Sequence, residues 1–130
     1  MISFSRLINV QNQMKKIVYK IVTAADWSDA IAKGQYDGSA DDKRDGFIHL
    51  SEQHQVRGTL EKHFKGKRDL VLIAFEVSKL GSDLKWEQSR GGELFPHLYA
   101  PLSVSVALWK RPLPNNSDGV HFLDEEFFTC

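Results

Sequence analysis

Residues 70–77, LVLIAFEV, are the stretch on which the fold prediction depends. Side chains of an extended chain alternate between two faces, and here both faces are mainly apolar. A strand that is apolar on both faces is covered on both sides, which is typical of the middle of a sheet. Residues 70–77 therefore predict a central strand.

The segment before this strand begins with a second strand and a helix. Residues 17–22 are β-branched and aromatic, which is typical of a buried strand. Thr23 and Asp26 form a capping sequence at the start of a helix that stops at Gly34. One face of that helix is apolar and consists of Trp27, Ala30 and Ile31.

Residues 35–66 predict a loop, a short strand and a second helix. The polar loop covers residues 35–46 and carries two Asp-Gly turn signals, and the strand covers residues 47–50. Ser51 is expected to cap the second helix, which Gly66 ends. The face it buries is formed by Val56, Thr59, Leu60, His63 and Phe64.

Residues after 77 predict strands without further helices. Leu84 and Trp86 alternate with polar residues in a half-buried strand, and residues 88–96 form a glycine-rich loop. Residues 104–108 begin a last strand that Pro112 ends. This order predicts an α+β fold, a twisted mixed or antiparallel sheet with two main helices, because a doubly wound sheet requires helices between successive strands.

Residues 14–130 are interpreted as a single α+β domain with a polar C-terminal tail. Residues 1–13 differ in pattern and are interpreted as an N-terminal extension before a start at Met14; the alternative is an edge strand or short helix. The candidate docking points in the tail are Phe122, Phe127 and Phe128.

Composition narrows the class of protein. The chain has 17 Lys and Arg against 17 Asp and Glu, so no global field draws it to nucleic acid or to an anionic membrane. The only cysteine, Cys130, excludes an intrachain disulfide framework. Apolar runs are too short for a membrane span or a signal peptide, which predicts a cytoplasmic protein. The expected partner, a small-molecule ligand, follows from the polar segments described next. The oligomeric state is left open.

Residues 45–51, DGFIHLS, form the first candidate binding segment. On a strand Phe47, His49 and Ser51 share one face, and the intervening apolar residues share the other. A ring, an imidazole and a hydroxyl in a row suit a cleft that stacks a base and binds a ribose. The alternatives are that His49 is a half-buried structural histidine and that Ser51 only caps a helix.

Two later segments also concentrate polar groups. Glu87 precedes a flexible segment, RGGE at 90–93, where a carboxylate can orient a hydroxyl or stabilise a developing cation. In FPHLYAP, residues 95–101, two prolines hold His97 and Tyr99 extended on a shared face. The alternatives are a solvent-facing glutamate and an aromatic corner at the sheet edge.

No metal site is predicted. The chain has neither a Cys-x-x-Cys nor a His-Glu-x-x-His pattern. His54 and His63 are spaced so that they fall on opposite faces of a helix, which does not suit a shared structural zinc.

The same segments give the chain a resemblance to a bacterial family known as domain of unknown function 952. The matching elements keep their order from about Met14 to Gly119. They are Ile17-Val18-Tyr19-Lys20-Ile21, the helix with Trp27 and Ala30, Gly34-x-Tyr36, Asp45-Gly46-Phe47-Ile48-His49-Leu50-Ser51, Trp86-Glu87 and Phe95-Pro96-His97-Leu98-Tyr99. Ala100 departs from the pattern, which has glycine there.

This resemblance implies a distant similarity in fold to ADP-ribosyltransferases, which bind NAD in a cleft between two small sheets. Tyr19-Lys20 matches the position of their first-strand His or Arg, and residues 47–51 resemble their second motif. Their late-strand catalytic Glu has no clean match, because residues 104–110 carry no acid. The implied site has Glu87 and His49 as catalytic residues, and Lys20, Phe47, Ser51, His97 and Tyr99 as ligand-binding residues.

Two functional hypotheses follow. The first is an ADP-ribosyltransferase-like domain that binds NAD or a related nucleotide, with NAD as a possible substrate. The second is a non-catalytic module that binds a small ligand through His49, His97 and Tyr99. The missing late-strand Glu favours the second, whereas the rigidly held polar groups favour the first.

Overall fold

Three small antiparallel sheets and three α-helices form the part of the chain that the structure, a computed structural model, describes: residues 16–114 and 125–128. The strands are β1 (Ile17–Thr23), β2 (Gln35–Tyr36), β3 (Ile48–His49), β4 (Leu70–Glu76), β5 (Leu84–Gln88), β6 (Leu94–Leu98), β7 (Leu102–Ser103) and β8 (Ala107–Pro112). The helices are α1 (Ala24–Lys33), α2 (Ala40–Asp45) and α3 (Gln53–His63).

Strand β4 is the middle strand of the first sheet, whose order is β1-β4-β8. This position confirms the central strand predicted from its two apolar faces. Ile73 and Phe75 pack into a hydrophobic cluster on the side of α1, whereas Leu72 and Ala74 pack into a second cluster on the side of α3. The sheet therefore separates two cores, and β4 contributes to both.

The second three-stranded sheet, in the order β3-β6-β5, brings the candidate site residues together. His49 on β3 is the register partner of His97 on β6, although the two are far apart in sequence. A pair of backbone hydrogen bonds between Tyr19 and Ser51, of 2.8 and 2.9 Å, ties the end of β3 to β1 of the first sheet. The third sheet pairs β2 with β7.

Helix α1 begins and ends as the sequence predicts. The Thr23 hydroxyl accepts a hydrogen bond of 3.1 Å from the Asp26 N–H at the N-terminus. Gly34 follows the helix with φ of 96°, a left-handed conformation that glycine adopts without steric cost.

The prediction of a polar loop over residues 35–46 is wrong in part, because β2 and α2 lie within it. Ser39 and Asp42 form a reciprocal capping box at the start of α2, and Gly46 ends the helix. Five of the six residues of α2 are charged, so the helix has no apolar stripe that a periodicity argument could detect.

Five other predictions are corrected by the structure. Ser51 does not cap α3, because its backbone is bonded to β1 and Glu52 occupies the cap position; the helix ends at His63 instead of Gly66. Residues 104–106 form a 3₁₀ turn, so the last strand begins at Ala107, and β6 shortens the predicted loop at 88–96. The described elements form three sheets and three helices instead of one sheet and two helices.

The predictions for residues 1–13, Met14 and Phe122 lie outside the described residues. In the described part of the tail, the Phe128 ring packs edge-on against Tyr19 with their centroids 5.3 Å apart. None of the helices in residues 16–114 and 125–128 has the length and apolar character needed to cross a membrane.

Candidate functional site

A cavity of about 270 Å³ lies among β1, β3, β6, α2 and α3, so both three-stranded sheets contribute to its walls. Hydroxyl groups and aromatic rings complete its lining. Its charged and imidazole side chains are Lys20, Asp41, Asp42, Arg44, Asp45, His49, Lys62, His63, Arg90 and His97. We refer to it as the main cavity.

A buried ion pair between Lys20 and Asp42 forms one wall of the main cavity. Lys20 Nζ lies 3.0 Å from Asp42 Oδ2 and donates a hydrogen bond of 2.9 Å to the His49 carbonyl oxygen. The Asp42 carboxylate also accepts hydrogen bonds from the backbone N–H groups of Ser39 and His49, at 2.9 and 3.0 Å. These bonds satisfy the two buried charges, which is the condition for keeping such a pair in an interior.

His49 is held between two carboxylates of helix α2. Its Nδ1 lies 2.6 Å from Asp42 Oδ1, and its Nε2 lies 3.0 Å from Asp45 Oδ2. Asp42 is buried, whereas Asp45 is partly exposed. The contacts at both ring nitrogens fix the orientation of the imidazole at the cavity wall.

The pKa values of the buried pair reflect this arrangement. Burial alone raises the pKa of Asp42, but the hydrogen bond from His49 and the charge of Lys20 outweigh burial and hold the pKa of Asp42 well below its usual range. Burial lowers the pKa of Lys20, against the opposing attraction of Asp42. The Asp42 carboxylate is therefore ionised at neutral pH.

A second histidine–carboxylate pair lies beside the first. His97 Nδ1 is 2.8 Å from Glu87 Oε1, and the Tyr99 hydroxyl donates a hydrogen bond of 2.7 Å to the same oxygen. The bond from Tyr99, with that from His97, lowers the pKa of Glu87, and the bond to Glu87 raises the pKa of Tyr99. The His97 side chain is 5% exposed, so its ring is enclosed on nearly all sides.

The Phe47 ring joins the two histidines into one aromatic cluster. It stacks on His97 with a centroid distance of 4.0 Å and an interplanar angle of 22°. It also lies 4.6 Å from the His49 ring and 5.2 Å from the Tyr99 ring. One face of Phe47 is therefore already covered by protein.

Another part of the main-cavity lining, which we refer to as the cationic wall, carries the positive charges of Arg90 and Lys62. The Arg90 guanidinium lies 4.9 Å from the centroid of the Phe95 ring and passes close to Gly58 of α3, where a Cβ atom would stand 2.9 Å from Nη2. Lys62 adds a second cation in the last turn of α3. Burial, together with the charges of Lys62 and Arg90, lowers the pKa of His63.

Ion pairing around the main cavity leaves the two cations of this wall without a carboxylate partner among the described residues. Lys20 pairs with Asp42, and Arg44 lies within ion-pair distance of both Asp41 and Asp45. Lys62 and Arg90, in contrast, have no carboxylate within 4.0 Å among residues 16–114 and 125–128. The main cavity thus has cations available to an anionic ligand.

The structure brings together most of the residues that the sequence singles out. Lys20, His49, Ser51 and His97 line the main cavity, and the Ser51 hydroxyl lies 3.2 Å from that of Thr59. Phe47 and Tyr99 line a second, more open cavity of about 260 Å³ on the other side of the aromatic cluster. Glu87 lines neither cavity and reaches the site only through His97 and Tyr99. The ligand-binding and catalytic roles of these residues remain predictions.

Sequence reasoning missed four residues of the site. Asp42 had a detectable signal, because Ser39-x-x-Asp42 is a capping-box pattern. Asp45 belonged to a recognised turn, but its contact with His49 depends on helix α2. Arg90 belongs to the polar segment at 90–93 that the sequence singles out, but its role at the cavity depends on its position against Phe95 and Gly58. Lys62 had no local signal.

Fold and site together define an α+β protein with a ligand-sized cavity between two antiparallel sheets. A family model described as "Protein of unknown function (DUF952)" matches residues 21–109, and the chain belongs to that family. It is also similar to the solved structures of protein CC0527 from Caulobacter crescentus. The X-ray structure is 50% identical with a TM-score of 0.78, over 82% of this chain and 93% of that chain. The solution NMR structure is 51% identical with a TM-score of 0.72, over 80% and 90% of the respective chains. No curated protein matches the chain.

Proposed function

We propose that the main cavity binds a small nucleotide-like anion. The observation that carries this proposal is the pairing of charges: each aspartate in the lining has a cation partner, whereas Arg90 and Lys62 have none among the described residues. A phosphate group would give Arg90 and Lys62 an anionic partner, since a guanidinium fork suits phosphate geometry.

The remaining groups suit the sugar and base of such a ligand. Imidazole and hydroxyl groups at His49 and Ser51 can bond to ribose hydroxyls, as the family resemblance implies. The cavity volume of about 270 Å³ lies just below the range of about 300–1,000 Å³ for small-molecule sites. A mononucleotide-sized group is therefore the preferred occupant, and NAD would extend beyond the cavity toward Phe47 and Tyr99.

An ADP-ribosyltransferase-like relationship is the narrower form of this proposal. A cavity walled by two small antiparallel sheets supports it. ADP-ribosyl transfer, however, needs a carboxylate beside the ribose, and the candidate Glu87 is occupied by His97 and Tyr99 outside the cavity lining. The arrangement therefore favours nucleotide binding over ADP-ribosyl transfer.

Isothermal titration calorimetry with AMP, ADP-ribose, NAD and uncharged adenosine tests the proposal. We expect AMP to bind more tightly than adenosine, and Arg90→Ala to weaken AMP binding by at least about tenfold, because a hydrogen bond to a charged group contributes about 1.5–3 kcal/mol. Lys79→Ala is the matched control, since Lys79 is exposed and lines neither cavity. Equal binding of adenosine and AMP, or an unchanged affinity in Arg90→Ala, would contradict the proposal.

A further inference from the structure

We propose that His97 is the general base of a hydrolytic reaction in the main cavity, and that the substrate is a small cyclic phosphodiester such as a nucleoside 2′,3′-cyclic phosphate. This inference rests on the proposed function, because it requires a phosphate group at Arg90. It goes beyond binding by assigning a reaction to a residue and a bond to be broken.

The protonation of the His97 ring follows from its partner. Nδ1 lies 2.8 Å from the Glu87 carboxylate, so this nitrogen carries the proton and donates it to Glu87. The other nitrogen, Nε2, then holds the lone pair. Nε2 has no hydrogen-bond partner among the described residues. Every side-chain nitrogen or oxygen of those residues that is sealed from solvent does have a partner, so Nε2 is accessible to solvent. Since His97 lines the main cavity, Nε2 is a base open to it.

The ring is also fixed in position before any ligand arrives. Phe47 covers one face by stacking at 4.0 Å, and Glu87 holds the edge. Glu87 is itself held by the Tyr99 hydroxyl at 2.7 Å. A base that is positioned in this way loses little entropy on reaching the transition state.

The base and the cationic wall belong to the same cavity. Phe95 and His97 are two residues apart on β6, so they point to the same face about 7 Å from each other. The Arg90 guanidinium lies 4.9 Å from the Phe95 ring centroid. Arg90 and His97 both line the main cavity, so a phosphate held by Arg90 would lie on the side of β6 that carries the His97 ring.

The reaction balances with water as the only co-reactant. His97 Nε2 takes a proton from water while the water oxygen forms a bond to phosphorus and the bond from phosphorus to the ribose 2′ oxygen breaks. The bond breaks on the side of phosphorus opposite to the attacking water, so the 2′ oxygen takes a proton from solvent and remains attached to the product as a hydroxyl. The imidazolium releases its proton to solvent, which restores the base. Arg90 and Lys62 stabilise the charge on the other phosphate oxygens. A five-membered cyclic phosphate suits this arrangement because ring strain weakens the bond that breaks.

The test follows adenosine 2′,3′-cyclic phosphate by ³¹P NMR with the full chain. We expect the wild type to produce the ring-opened monoester, and His97→Asn to lower kcat by at least about 100-fold, the usual range for general acid–base catalysis. Asparagine keeps a donor for Glu87 but has no basic nitrogen; His97→Ala serves as a second variant if His97→Asn fails to fold. Glu87→Gln, which alters the positioning of His97, should lower kcat with little change in KM.

His54→Ala is the matched control, because His54 is an exposed histidine that also contacts a glutamate, Glu93, and lines neither cavity. We expect it to turn over at the wild-type rate. Binding of AMP and the cyclic nucleotide without turnover, or full activity in His97→Asn, would overturn the inference and leave the proposed function intact. If neither AMP nor the cyclic nucleotide binds, both the inference and the proposed function are wrong.

Discussion

Asp42 holds the elements of the site together, although the sequence pattern highlights other residues. Its carboxylate contacts the charge of Lys20, the ring and backbone of His49 and the backbone of Ser39. It therefore connects β1, β3 and α2 at the point where the main cavity begins. Removal of its charge would leave the Lys20 ammonium buried without a counter-charge.

We expect Asp42→Asn to lower the free energy of unfolding by about 3–5 kcal/mol, the usual cost of removing one partner of a buried pair. Urea denaturation followed by circular dichroism measures this change. Asp41→Asn is the control on the same helix, since Asp41 is exposed, and should change stability by about 0.5 kcal/mol or less. A loss in Asp42→Asn no larger than that of the control would show that Lys20 is solvated without its partner.

The depressed pKa of Asp42 also predicts how stability depends on pH. The unfolded chain binds a proton at this carboxyl near pH 4, whereas the folded chain binds it only at lower pH. Between these limits the unfolded state holds more protons, so stability falls as pH falls below about 4. Unfolding free energies measured from pH 6 to pH 2 should show this decline, and Asp42→Asn should make it shallower. An equal decline in both proteins would assign it to other carboxylates.

Gly58 offers a way to move Arg90 without removing its charge. Alanine stabilises a helix interior by about 0.5–1 kcal/mol relative to glycine, but the added Cβ would stand 2.9 Å from Arg90 Nη2. We therefore expect Gly58→Ala to keep or raise the melting temperature while lowering the affinity for AMP several-fold. In an Arg90→Ala background the same substitution should have no further effect on affinity. A loss of affinity in that background would mean that Gly58 acts on the ligand by another route.

At the scale of elements, β4 is the strand on which the two cores depend. Ile73 is fully buried within it, so Ile73→Ala should lower the free energy of unfolding by about 2–5 kcal/mol, as measured by urea denaturation. Leu108→Ala on the neighbouring strand β8 is the control, because Leu108 is 46% exposed and should change stability by much less. Equal effects of the two substitutions would contradict the central position of β4.

Elements with a clear apolar pattern were predictable, and those without one were not. β1, α1, β4 and β5 carry alternating, two-faced or helical apolar patterns, and each lies where the sequence predicts it. Helix α2 is almost entirely charged, and bonds from its buried Asp42 to β1 and β3 support it. Ser51 shows the opposite error. Its residue type favours a helix cap, but its backbone is hydrogen-bonded to Tyr19, which is distant in sequence. Tertiary contacts override the local propensity of a residue where they are stronger.

At the scale of the whole molecule, the order of strands and the shared cavity are long-range properties. Alternation along a strand predicts that Phe47 lies beside His49, and His97 beside Tyr99, as the structure has them. No local pattern predicts that β3 pairs with β6. Nor does any local pattern bring Arg90 over Phe95. The polar residue types of the site were predictable, whereas the positions of the cations at the main cavity depend on packing.

The balance of 17 basic and 17 acidic residues predicts a weak salt effect on binding. Without a global field, the attraction that we propose for AMP comes from nearby cations in a partly enclosed cavity, which salt screens less than it screens exposed charges. We expect the affinity for AMP to fall by less than about tenfold between 50 and 500 mM NaCl in titration calorimetry. Adenosine is the control and should show almost no salt effect. A steeper fall for AMP would indicate that distant surface charges contribute.

The position of β4 between two cores has a consequence for amide hydrogen exchange. Its N–H groups are bonded to β1 and β8, and exposing them requires both hydrophobic clusters to loosen together. These amides should therefore exchange only through global unfolding and be the slowest of the described residues. The two-residue ladder of His49 with His97 can open locally while β4 stays closed. The walls of the main cavity can thus open locally while both hydrophobic cores stay folded.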